Sequence, residues 1–114
     1  MHELPVTESI LEISLRHGRD AGAKRITDLH LVIGQLASIV DDSVQFYWDI
    51  ISKGTLAEGA VLHFRRIPAE MLCKDCGTRY QPSGDDFACP QCGGIHVKIT
   101  AGEEFYLESI DVEN

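Results

Sequence analysis

The stretch CKDCGTRYQPSGDDFACPQCG, residues 73–93, decides how the second half of this 114-residue chain folds. It contains two CxxCG turns, which begin at Cys73 and at Cys89. Two residues between ligands let one tight turn present both sulfurs to a single metal, and Gly77 and Gly93 supply the positive φ that such a turn usually needs. The spacing therefore predicts a closed tetrahedral site, with zinc as the favoured metal, formed by Cys73, Cys76, Cys89 and Cys92.

Other interpretations of the four cysteines remain open at this point. They could form two disulfides or stay as buried free thiols, although a cytosolic chain keeps thiols reduced and the paired spacing would then be chance. Iron is the rival metal, because the second turn reads Cys-Pro-x-Cys-Gly, as in the electron carrier rubredoxin. A zinc ribbon can also serve as a nucleic-acid-binding or protein-binding module. Tyr80 and Phe87 are expected to cover the metal on one side.

Hydrophobic spacing outside this stretch predicts two helices and three strands. The first helix shows apolar residues over more than half of its circumference, so we expect it to pack on two sides. Asp41 or Asp42 is expected to cap the second helix, and Gly54 to end it. Strand, helix and strand with short joints imply a parallel pair. The expected elements are a helix over 4–21, a half-buried strand over 25–33, a helix from 41 to about 54, and strands over 60–67 and 105–112.

Composition and charge limit the classes of function. The chain is 44% apolar and carries a formal charge of −8, which is typical of a folded protein and not of a disordered one. No segment is basic, and this argues against duplex nucleic acid as the main ligand. We read the acidic stretch 103–113 as a solvated edge. No stretch approaches the roughly 18 apolar residues of a membrane span and no secretion signal is evident, so the expected location is the cytoplasm.

The first three residues, Met1-His2-Glu3, form a second candidate site. A free amino group, the next amide nitrogen and the His2 ring nitrogen can form two fused chelate rings around one metal ion. Three coplanar nitrogens suit square-planar Ni(II) or Cu(II). The fourth position is open to Glu3, to its amide, or to an acid such as Asp41 or Asp42. The alternative is an ordinary solvated histidine at a chain end.

Several motifs together resemble one family over essentially the whole chain. The chain opens with Met1-His2-Glu3 and a helix, continues with 33-IGQL-36 and 54-GTLAEGA-60, and then carries the two CxxC turns and 102-GEE-104. In this order they resemble the HypA/HybF nickel metallochaperones of [NiFe]-hydrogenase maturation. Two departures are Gln35, where the family usually has Glu, and a short loop between the cysteine pairs.

The resemblance implies a fold, a set of ligands and partners. The fold is α+β, with two helices on a three-stranded mixed sheet and an inserted four-cysteine zinc ribbon. Residues 1–69 and 101–114 would form the nickel-binding domain, and residues 70–100 the zinc-ribbon domain. His2 would be the essential nickel ligand, with Met1 and Glu3 beside it, and the four cysteines would hold structural zinc.

The same resemblance implies a carrier and not an enzyme. It would deliver Ni(II) to the [NiFe]-hydrogenase large-subunit precursor together with a HypB-type nucleotide-hydrolysing partner. The absence of a G-x-x-x-x-G-K-[ST] phosphate loop from this sequence agrees with that division of labour. No nucleic-acid or membrane partner is expected, and the chain would be a monomer or a homodimer.

Overall fold

The computed structural model describes residues 3–84 and 86–114. Met1, His2 and Asp85 lie outside the described residues, so the first two proposed nickel ligands do as well. In chain order the elements of the described part are α1 (Glu3–Asp20), β1 (Arg25–Gly34), α2 (Asp41–Ile51), β2 (Val61–Ile67), β3 (Glu70–Cys73), β4 (Arg79–Tyr80), β5 (Val97–Ala101) and β6 (Phe105–Glu113).

The chain divides into two compact units. The first contains the described residues up to Val32 together with Ser38–Arg65 and Phe105–Asn114. The second contains Ile33–Ala37 and Arg66–Glu104, and therefore all four cysteines. This second unit is wider than the 70–100 segment predicted as the zinc domain, because short flanking segments pack with it. The assignment of nickel to one domain and zinc to the other stays a prediction.

The first sheet has three strands in the order β2-β1-β6 and is mixed. At the two ends of β1, main-chain hydrogen bonds to the β6 side run from Lys24 N to Glu113 O and from Gly34 N to Glu104 O. The partner residue number falls as β1 advances. On its other side β1 meets the β2 segment in the same chain order, from Ile26 N to Leu56 O and from Gln35 N to Ile67 O. β1 is therefore antiparallel to β6 and parallel to β2, which confirms the predicted crossover through α2.

Both helices pack on the apolar core of the first unit. α1 contacts α2 and β6, as its broad apolar circumference predicts. At Gly18 the helix comes so near to β1 that a built Cβ would lie 2.9 Å from the Ile26 Cδ1 atom. The buried members of this core are Ile10, Ile26, Leu29, Leu31, Val44, Trp48, Ala57, Ala60 and Leu62.

One local prediction about this unit was wrong, and another was confirmed only in part. The N-cap of α2 is Val40, and no side chain of its own caps the helix, so neither Asp41 nor Asp42 has the predicted capping role. The other concerns β1, which is half-buried only in its first part: Leu31, Val32 and Ile33 are all almost fully buried. Val32 points to the face opposite Leu31 and Ile33, and its burial interrupts the polar alternation that the first part of the strand keeps.

The second unit is built on a small antiparallel sheet in the order β4-β3-β5. β3 ends at Cys73, so the first cysteine turn follows directly from the sheet. The family motif around Gly34 also packs here: Leu36 N donates to Gly102 O at 2.6 Å, and Ala69 N donates to the Gln35 side-chain oxygen at 2.9 Å. The amide side chain at position 35 thus serves as a hydrogen-bond acceptor in place of the family's usual carboxylate.

None of the helices in the described part of the chain is long and apolar enough to cross a membrane.

Candidate metal centres

The four cysteines meet at one point of the second unit. Their sulfur atoms all lie within 4.8 Å of one another, with 3.6 Å between Cys73 and Cys92 and 3.6 Å between Cys76 and Cys89. These sulfur–sulfur distances are far longer than a disulfide bond of about 2.05 Å, so the disulfide alternative fails. Cys73 and Cys89 are buried, whereas Cys76 and Cys92 are exposed.

Each cysteine pair is presented by the same kind of turn. Gly77 N donates to Cys73 O and Gly93 N donates to Cys89 O, both at 2.8 Å. Gly77 has φ 78° and Gly93 has φ 73°, as the sequence predicted, and a Cβ is strained at such angles. Gln91 N also lies 3.4 Å from the Cys89 sulfur, which places a backbone dipole toward the site. The two turns therefore present the four sulfurs with the same backbone geometry.

Proton affinity differs sharply among these thiols. Hydrogen bonds from the Thr78 hydroxyl and backbone lower the pKa of the Cys76 thiol to about 6. At Cys92 the backbone bond from Gly94 favours the thiolate, but the neighbouring Cys73 thiol, burial and the other sulfurs raise the pKa to about 12. Four thiolates this close repel one another, so a cation is required to hold all four in the charged form that binds metal.

The sulfur cluster fits zinc. With zinc–sulfur bonds of about 2.3 Å in a tetrahedron, neighbouring sulfurs lie about 3.8 Å apart, close to the observed spacing. All four positions are filled by cysteine, and no water or substrate position is left open. Such a site stabilises the fold and supplies no reactive metal. The geometry alone does not separate zinc from iron, which accepts the same ligands.

Tyr80, Phe87 and His96 belong to the same unit as the cysteine cluster. The Tyr80 hydroxyl donates to Phe87 O, and burial followed by the nearby thiolates raises the pKa of Tyr80. Tyr80 therefore borders the site as expected, while the Phe87 side chain is 41% exposed. The ribbon also folds back at His96: Lys74 N donates to His96 O, and the ring Nδ1 lies 3.2 Å from the Asp75 carboxylate.

Glu3, the first described residue, is held against α2. This side chain is 1% exposed, and its Oε2 accepts the Val40 N–H at 3.0 Å. Its Oε1 is buried and has no hydrogen-bond partner among the residues that the structure describes. The carboxylate thus takes the place of a capping side chain on α2, where a negative charge is favoured by the helix dipole.

This contact places Glu3, the third residue of the second candidate site, next to the start of α2. Val40 immediately precedes Asp41, one of the two acids that the sequence suggested for the fourth nickel position. Sequence reasoning missed the capping role of Glu3, because a bond across 37 residues leaves no local pattern. One available signal was the lack of a Ser, Thr, Asp or Asn residue directly before Asp41.

Fold and cysteine cluster together define a class: a small α+β protein with a second unit stapled by a four-cysteine metal site of structural type. A profile described as "Hydrogenase/urease nickel incorporation, metallochaperone, hypA" matches residues 1–112. The chain belongs to this HypA family, which confirms the resemblance seen in the sequence.

Individual relatives agree with the family assignment. A hydrogenase maturation factor HypA from Dehalococcoides mccartyi is 42% identical over 114 residues, covering 100% of this chain and 96% of the relative. The corresponding factor from Caldanaerobacter subterraneus is also 42% identical, over 99% of this chain and 100% of its own length. The solution structure of the Ni metallochaperone HypA from Helicobacter pylori superposes with a TM-score of 0.69 at 25% identity, covering 99% of this chain and 98% of that one.

Proposed function

We propose that this chain binds Ni(II) at its N-terminus and delivers it for the maturation of [NiFe]-hydrogenase. The observation that carries the proposal is the Glu3–Val40 hydrogen bond, in a chain of the nickel-incorporation family. A buried carboxylate at the third residue anchors the chain next to His2. A metal bound by the first residues would then sit at a defined place on the protein and not on a free tail.

Nickel is the cargo, and its ligands follow from the chemistry of the first residues. The Met1 amine, the His2 amide nitrogen and the His2 ring nitrogen would supply three coplanar donors for Ni(II). The Glu3 side chain is engaged with α2, which favours the Glu3 amide or Asp41 for the fourth position over the Glu3 carboxylate. The plane is open above and below, so an acceptor ligand can attach before the donors leave.

The other elements of the proposal concern the second metal and the partners. Zinc at the four cysteines would hold the second unit and take no part in transfer. The chain would catalyse no bond change in its cargo. Its partners would be a HypB-type nucleotide-hydrolysing protein and the hydrogenase large-subunit precursor, in the cytoplasm. Urease is a second possible destination that the family description includes.

A nickel titration of the zinc-loaded chain tests the proposal. We expect one Ni(II) with the absorption of a planar diamagnetic species, and loss of tight binding in His2→Ala. His17→Ala is the matched control, because His17 is an exposed histidine on α1. Equal nickel binding by both variants would contradict the proposal. Metal analysis of the untreated protein shows which metal the four cysteines bind, since iron gives a red protein and zinc a colourless one.

An N-terminal extension tests the role of the amine. Adding Gly-Ser before Met1 converts that amine into an amide and moves the free amine away from His2. We expect this form to lose the planar signature, while a C-terminally tagged form keeps it and both retain zinc. Full affinity in the extended form would show that side chains and internal amides hold nickel without the terminus.

A further inference from the structure

A groove lies between α1 and α2 on the outside of the first unit. Its cavity measures about 360 Å³, and its apolar lining comes from Leu11, Leu15 and Ile51. The two helices start side by side, since Glu3 at the beginning of α1 bonds the N-cap of α2. The helices therefore start at the same end, and the groove lies toward their C-terminal ends, since its residue from α2 is Ile51, the last of that helix.

The outer face of α2 continues this apolar surface. Phe46 is 60% exposed and Ile50, one turn further on, is 54% exposed. Val44 and Trp48 form the buried side of the same helix, so the core makes no use of Phe46 and Ile50. On an 11-residue helix, two large exposed apolar side chains one turn apart form a contiguous ridge. We call the combined surface the helix-pair strip: Leu11, Leu15, Phe46, Ile50 and Ile51.

Carboxylates border the helix-pair strip on both sides. Glu8 and Glu12 stand on the α1 side and line the groove. Asp42 and Asp49 are exposed on α2 and, by helical spacing, lie on the far side of Phe46 from Ile51. Arg16, exposed one turn after Glu12 on α1, and Arg19, which lines the groove, follow these two acids, and Lys53 comes just after α2. The α2 flank of the strip is therefore acidic, and the α1 flank is acidic over its first half.

We propose that the helix-pair strip docks an amphipathic helix of a partner protein, with apolar residues on one face and Lys or Arg on its flanks. Apolar anchors would fill the groove beside Phe46 and Ile50, and the flanking bases would meet the four carboxylates. A second copy of this chain fits poorly, because its formal charge is −8 and its own helices carry these acids. This inference rests on the proposed function: the partner would be a protein that exchanges nickel with the first residues of the chain.

A designed peptide is the direct probe. It is an 18-residue amphipathic helix with Leu on one face and Lys on the flanks, labelled for fluorescence anisotropy and titrated with the full zinc-loaded chain. The matching peptide with Glu in place of Lys is the charge control. We expect binding of the Lys peptide only, weakening as salt is raised.

Variants locate the binding surface. Phe46→Ser with Ile50→Ser should weaken peptide binding about tenfold or more, because apolar anchors carry most of the binding energy. Val61→Ser is the apolar control, since Val61 is 53% exposed on β2 of the same unit. Glu8→Lys with Glu12→Lys should weaken it about threefold to tenfold. Asp20→Lys with Glu103→Lys is the matched charge control, with both residues exposed.

The results distinguish failure of the docking site from failure of the proposed function. Equal binding by all variants, or no binding by the wild type, would overturn the docking site. Sedimentation that shows a dimer lost in Phe46→Ser with Ile50→Ser would assign the strip to a second copy and also overturn it. Nickel titration of the same variants should be unchanged. Failure of the wild type to bind nickel would contradict the proposed function while leaving the peptide result standing.

Discussion

The two units of this protein reach stability by different means. The first unit buries a set of large side chains around Trp48, which is 1% exposed. In the second unit the apolar side chains buried among the described residues are Ile33, Ala69, Met71, Cys73 and Cys89. Two of those five belong to the sulfur cluster, so the second unit has little core of its own.

The difference shows what the cysteines contribute. Burial of apolar surface is worth roughly 25 cal/mol per Å², so a unit with few large buried side chains gains little from it. A structural metal compensates for this small apolar stabilisation, since its binding free energy adds to the free energy of folding. We therefore expect the second unit to depend on metal and the first to be independent of it.

Removing one sulfur ligand should give the largest effect. Cys76→Ser is expected to lose zinc and to cost the second unit on the order of several kcal/mol of folding free energy. Trp48 is the single tryptophan and lies in the first unit, so its fluorescence should report an intact core. Zinc analysis and amide hydrogen exchange measure the change.

Thr78→Ala is the control for this prediction. It removes the hydroxyl that lies 3.2 Å from the Cys76 sulfur but keeps all four ligands, so zinc should stay bound. A Trp48 spectrum that shifts together with zinc loss in Cys76→Ser would show that the first unit needs the metal, and the contrast between the units would fail.

The next largest effect should come from Gly34→Ala, which tests whether metal alone holds the second unit. A Cβ at Gly34 would lie 2.0 Å from Gly102 O, a backbone atom that cannot move aside easily. We expect a loss of about 3 kcal/mol or more in urea unfolding, with zinc still bound in the native state.

Gly22→Ala provides the matched control. Its φ of 67° strains an alanine, but a Cβ there meets nothing within 4 Å. We expect a smaller loss, about 1 kcal/mol. If Gly34→Ala cost no more than Gly22→Ala, the close approach to Gly102 would not be a determinant of stability.

A smaller effect on stability is expected at Glu3, whose carboxylate bonds the N-cap residue of α2. Glu3→Ala removes the acceptor of the Val40 N–H and the negative charge near the start of α2, so we expect a loss of about 1–3 kcal/mol in urea unfolding. It should also weaken nickel binding, since the chain start loses its anchor. Glu3→Gln keeps an acceptor oxygen and should lie between wild type and Glu3→Ala in both measurements. Nickel affinity that stays unchanged in Glu3→Ala would separate the capping contact from the proposed site.

The smallest effect should be a pH dependence on the exposed face of the first sheet. The hydrogen bond from His63 at 2.7 Å, followed by that from Thr27, lowers the pKa of Asp28 from its ordinary 3.8. A carboxyl with a lowered pKa contributes stability above its ordinary value and loses it as the pH falls through the folded value. The stability advantage of wild type over Asp28→Asn should thus be present at neutral pH and shrink in acid. An advantage that keeps growing as the pH falls below 3.8, the ordinary pKa of Asp28, would contradict this assignment.

Much of the architecture could be predicted from local patterns. The period of apolar residues gave both helices of the first unit, and the alternation over 60–64 correctly placed Ala60 and Leu62 in the core. The CxxCG spacing predicted that four sulfurs meet and that two glycines adopt positive φ. These features depend on residues close in sequence, and such patterns are readable without a fold.

The capping of α2 shows where that reasoning stops. Asp41 and Asp42 look like capping residues, yet the N-cap residue is Val40, and its N–H is bonded by Glu3, 37 residues earlier in the chain. In the same way, the sequence predicts polar alternation along all of β1, but the second half of the strand is buried in the folded chain. Local sequence indicates that a helix start needs a hydrogen-bond acceptor, whereas tertiary packing determines which residue supplies it.

The sequence by itself determined the metal-type cysteine cluster, the two helices, the strand–helix–strand crossover and membership of the HypA family. It could do so because turn spacing and apolar periodicity act over a few residues. Only the tertiary structure decided that Glu3 closes the end of α2, that Gly34 packs on Gly102 and that Phe46 and Ile50 stay outside the core. Each of these depends on the distance between residues far apart in the chain, and that distance is fixed only when the core has formed.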